Sequence, residues 1–109
     1  MSSQRNRPVS ESFYEAGHNW ATLDASARLM EESKTTILAQ RMAALGDMPV
    51  SRAEMIVKAD PKWEAFIHKM VDTKTQANKA KIDVDYWRMK HMESQSDAAN
   101  ERTEARLGR

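Results

Sequence analysis

The sequence predicts an all-α protein, and three observations predict it. Only three Gly and three Pro occur in 109 residues, with 40% apolar and 30% charged residues, a helix-rich and loop-poor composition. No Pro or Gly falls between Pro61 and Gly108. With Trp63 taken as heptad position a, the a and d positions read Trp63, Phe66, Met70, Thr73, Ala77, Ala80, Val84 and Trp87, all apolar or small. His91, Ser94, Ala98, Glu101 and Ala105 follow in the same register and are mostly neither large nor apolar. The expected architecture is an antiparallel helical hairpin with one long C-terminal helix, coiled-coil-like and oligomeric.

Each element has its own signal. Residues 1–9 are polar, aperiodic and contain Pro8, and are expected to form a disordered arm ahead of one helical-hairpin domain over residues 10–109. Ser10 to Ala16 suits a short helical turn before Gly17. A first helix is expected over about 18–45, capped by Asn19 and ended by Gly46, with Trp20, Leu23, Ala27, Met30, Ile37 or Leu38, Met42 and Leu45 on one face and Lys34 as the exception. Ser51 and Glu54 match a capping box, which predicts a short helix over about 52–59 with Met55, Ile56 and Ala59 as its apolar side. Asp60 before Pro61 both ends that helix and starts the next, over about 62–107. That helix would run roughly 70 Å. It outreaches the first by roughly 15–20 residues, so the polar stretch from His91 onward is expected either to fray or to pair with another subunit.

Charge placement fits the hairpin. Residues 62–90 carry a net +3 within an overall +1. In an antiparallel pair Glu31 would meet Lys74 or Lys81, and Asp24 would meet Lys81 or Arg88, selecting register more than adding stability. The small residues Thr73, Ala77 and Ala80 permit close approach at the middle, and Trp20, Trp63 and Trp87 suit the wider ends.

Composition also bounds the chemistry. The chain has no Cys, so disulfides and thiolate metal sites are excluded. No apolar run approaches the ~20 residues of a membrane helix and no signal peptide is recognisable, which points to a cytoplasmic protein without membrane contact. His18, His68 and His91 lack the converging partners of a metal site, so no metal or other cofactor is expected. Asp83 and Asp85, two apart on a helix, point in different directions and cannot share a substrate. No nucleophile elbow or phosphate loop is present, and an enzyme is not expected.

Two groups of residues remain as binding candidates. Lys74, Lys81 and Arg88 recur every seven residues, beside Lys90, Tyr86 and Trp87, a pattern able to track a phosphate backbone; Arg5 and Arg7 on the arm add to it. The same cations are also the natural partners of Asp24 and Glu31. Eight Met residues are many for this length. Met30, Met42, Met55 and Met70 suit a core, whereas Met89 and Met92 suit an adaptable partner-binding surface.

The runs Lys58-Ala59-Asp60-Pro61-Lys62-Trp63 and Asn78-Lys79-Ala80-Lys81-Ile82-Asp83-Val84-Asp85-Tyr86-Trp87, with the charged end Asn100 to Leu107, resemble small uncharacterised coiled-coil proteins of phages and prophages. The resemblance covers about the last half of the chain. It implies an accessory role in DNA recombination or replication, in the host cytoplasm if the chain is phage-encoded, and carries over no functional residue. The leading expectation is therefore a non-enzymatic, self-associating accessory factor that contacts DNA or its processing enzymes. A protein-binding inhibitor or adaptor of a host enzyme, or a purely structural oligomerisation module, is the alternative.

Overall fold

The computed structural model describes residues 7–108. Among them are three helices and no strand: α1 (Val9–Ala44), α2 (Val50–Ala59) and α3 (Pro61–Leu107). The fold class is all-α, as composition and periodicity predict.

α1 begins about ten residues earlier than its periodicity suggests. The carbonyl of Pro8 accepts from the first bonded amides of the helix, those of Glu11 at 3.0 Å and Ser12 at 3.3 Å. Arg7 pairs with Glu15 and, at 3.7 Å, with Glu11. Residues 7–9 therefore belong to the helix start rather than to a disordered arm; the remainder of that expected arm lies outside the described residues. Asn19 sits inside the helix and caps nothing. Gly17 does not interrupt α1, because a single interior glycine costs only about 1 kcal/mol relative to alanine. A Cβ added there meets nothing within 4 Å. Gly17→Ala is accordingly expected to stabilise the protein by about 0.5–1 kcal/mol in urea denaturation. Gly46 is the opposite case. Its φ of 91° is left-handed, as a residue closing a helix often requires, so Gly46→Ala should cost about 1 kcal/mol in the same assay.

α2 also departs from its signal. Ser51 is not its cap: the amides of Arg52 and Ala53 bind the carbonyl of Pro49 at 3.1 and 3.0 Å, and no side chain caps the helix. Pro49, fixed at φ −57°, already directs its carbonyl into the first turn. The buried side is Ala53 and Val57, whereas Met55 is 74% exposed and Ile56 and Ala59 are exposed. Short connections at both ends, one of them the single extended residue Asp60 (φ −72°, ψ 131°), restrict how α2 can turn about its axis. Asp60 then caps α3, its Oδ1 accepting from the amide of Lys62 at 2.8 Å.

The described chain divides into two compact units, residues 22–77 and residues 7–21 with 78–108. In the unit of residues 22–77, Lys74 Nζ lies 3.3 Å from Glu31, and the guanidinium of Arg41 lies 5.9 Å from the ring of Trp63. α1 and α3 thus run antiparallel within it. Its buried residues are Ala27, Ala53, Val57, Trp63 and Ala77. In the other unit, the rings of Phe13 and His91 are 5.6 Å apart, and Arg88 lies 6.0 Å from the Phe13 ring. Ala80 and Val84 are its buried residues, with Trp20 and Trp87 half-buried.

The heptad register of α3 survives in detail. Every a or d residue from Trp63 to His91 is buried or half-buried. On α1 the predicted face is likewise withdrawn from solvent from Trp20 to Met42, with Ser33 taking the inward place beside an exposed Lys34.

Candidate interaction surfaces

The cations proposed for phosphate contact are mostly occupied by carboxylates of their own unit. Lys74 pairs with Glu31, as the antiparallel register predicts. Arg88 instead pairs with Asp85 at 3.0 Å, one turn away on the same helix. Lys90 reaches Glu93 at 3.4 Å and lies 5.7 Å from the ring centre of Tyr86. Arg7 is held by Glu11 and Glu15, and Arg5 lies outside the described residues. Asp24 does not meet Lys81 or Arg88; it pairs with Arg28 at 2.9 Å. The cause is geometric. A partner three or four residues along a helix is already within reach, whereas a cross-helix partner requires two long side chains to extend and lose rotamer freedom. Lys81 is exposed and makes no ion pair with the described residues. These pairs are solvent-exposed and individually worth about 0–1 kcal/mol. Their effect is to interleave negative charge among the positive, which weakens any continuous field toward phosphate.

The methionine candidates behave differently. Met89 is 61% exposed and Met92 59% exposed, and with Glu93, Ser96 and Asp97 they border a shallow depression along α3. From Met92 to Gly108 every residue is exposed, although the chain stays helical to Leu107. The apolar exposure extends upstream. Ile82 is 67% and Tyr86 50% exposed, so Ile82, Tyr86 and Met89 follow one another at four- and three-residue steps on one side of α3. This second stripe lies away from the a and d positions, and sequence reading passed over Ile82 because it sits at an f position. The f positions Ile82 and Met89, seven apart, carry the signal that would have revealed it.

A third feature is an open cleft of about 470 Å³ lined by Ser10, Phe13, Tyr14, Gly17, His18 and His91. Tyr14 and His18 stack there at 4.2 Å between ring centres. Among the described residues no group of three His, Asp or Glu side chains is placed to hold a metal ion. No described helix is long and apolar enough to cross a membrane. Comparison with protein-family models, curated proteins and solved structures found no match.

Proposed function

We propose that the chain is a non-enzymatic protein-binding module that presents the C-terminal part of α3, Met92 to Leu107, to another protein. The carrying observation is that this segment is helical while every one of its residues is exposed. Cut from the rest, a polar helix of that length is only marginally stable, because nucleation is costly. Attached to the packed part of α3 it needs no nucleus and is held close to a binding conformation at small entropic cost. Met89 and Met92 supply apolar anchors at its base, and the mixed charges beyond them supply specificity.

The body that carries this segment is proposed as a helical hairpin, supported by the antiparallel sense of α1 against α3 within residues 22–77. A DNA-accessory role through Lys74, Lys81, Arg88 and Lys90 has weaker support, since carboxylates occupy three of the four.

Removal of residues 95–109 tests the reading. The shortened chain should lose ellipticity in proportion to the helix removed, keep its melting temperature, and no longer capture the partner that the full chain retains in cross-linking. A fall in melting temperature would show that the segment belongs to the fold instead. DNA binding in a salt-dependent anisotropy titration, unchanged by the deletion, would move the function to the basic residues.

A further inference from the structure

The outward stripe of Ile82, Tyr86 and Met89 lies upstream of the C-terminal segment and shares only Met89 with its base, and the charges around it specify what covers it. We infer that a second copy of this chain docks antiparallel against it, about a two-fold axis passing near Tyr86. Asp83 and Lys90 lie along one border of the stripe, and Lys79 and Glu93 lie in the row of Tyr86 itself, seven residues to either side of it. A two-fold axis across an antiparallel helix pair sets each border against its own reverse. With the axis near Tyr86, Asp83 of one copy comes level with Lys90 of the other, and Lys79 with Glu93. Both matches join opposite charges, and the symmetry repeats each one.

The same arrangement places the two Tyr86 rings at the axis, where offset stacking is favourable. Ile82 and Met89 of the opposing copies then flank them on either side. Forming the pair asks little of the monomer. Lys90–Glu93 is an exposed in-helix pair that can be shared with a partner at small cost. Residues 79–93 cover only about 20 Å of helix. The interface is therefore below the standard size and its dissociation constant is expected in the micromolar range or weaker.

Sedimentation of the full chain across a concentration series should show a reversible monomer–dimer equilibrium. Ile82→Glu/Met89→Glu should weaken association at least tenfold with helicity and melting temperature unchanged. Asp83→Lys alone and Lys90→Asp alone should each weaken it, because each sets like charges together twice. Mixing the two variants should restore a heterodimer, since one pair is then charge-swapped, the other is native, and both join opposite signs.

The absence of native cysteine allows an orientation test. Under oxidation Tyr86→Cys should cross-link to itself, whereas Ile82→Cys and Met89→Cys should not. Association should also persist when residues 95–109 are removed, which separates this contact from the C-terminal segment. A monomer at every concentration would overturn the inference. So would equal cross-linking at all three positions, charge variants that do not complement each other, or association lost with residues 95–109.

Discussion

Trp63→Ala is expected to lower the free energy of unfolding by about 3–5 kcal/mol, read as a shift in the urea midpoint followed by far-ultraviolet circular dichroism. Trp63 is 6% exposed and stands two residues after the proline that starts α3. Its ring lies 5.7 Å from that of Phe66, so truncation removes burial and an aromatic contact together. It also uncovers Arg41, whose Nη1 is buried without a hydrogen-bond partner and whose guanidinium lies 5.9 Å from the indole. The π face is the interaction that this buried donor retains, and an alanine leaves it with none. Domains of this size are stable by only about 5–15 kcal/mol, so the variant should lose a large share of its stability margin. Trp63→Phe keeps a ring and should lose much less. Equal losses from the two variants would show that the contact with Arg41 and Phe66 is not what holds this end.

Ala77→Leu is expected to cost about 1–3 kcal/mol through overpacking. Ala77 is 3% exposed, and its unit also buries Ala27 on α1. Small side chains on facing helices set a short interaxial distance. Three additional carbons must either force α1 and α3 apart or adopt a strained rotamer, and both degrade contacts elsewhere along the seam. For a chain of this length each kcal/mol corresponds to about 4–8 °C in melting temperature, so calorimetry resolves the effect easily. Ala98→Leu is the control. That position has the same heptad letter but is exposed, so the melting temperature should barely move.

The contrast between Ala77 and Ala98 shows how far the sequence could be read. Periodicity located the inward face of α3 residue by residue, and the change in character after Trp87 predicted where burial ends. Asp60-Pro61 located the start of that helix because a carboxylate cap and a fixed φ act locally. Reading was poorer where a local signal competed with a connection. Ser51 and Glu54 have the spacing of a capping box, yet the helix already starts at Val50, with the Pro49 carbonyl accepting from the amides of Arg52 and Ala53. Met55 and Ile56 look like core residues, yet α2 turns Ala53 and Val57 inward. Gly17 resembles a stop but costs less than the helix around it gains.

Surface charge was legible only in part. Sequence pairs Lys74 with Glu31 across the helices correctly, but Arg88 and Asp24 settle on neighbours within their own helices. The register of a helix pair does not reveal which rotamer a long exposed side chain will prefer. The outward stripe escaped for a related reason: its residues lie outside the seam that organises α3, and periodicity was being read for one face only.

The exposed end of α3 gives one helix two very different lifetimes. Amides before His91 lie in a segment whose inward face is packed, so their exchange with solvent deuterium requires larger openings of the structure. Amides after it belong to turns that nothing covers, and they should exchange by fraying inward from Leu107, one turn at a time. Along a single uninterrupted ladder of hydrogen bonds, protection should therefore fall by orders of magnitude within a few residues of His91. A partner bound to the outer turns would erase that step, so the exchange profile reports occupancy without any label on the partner.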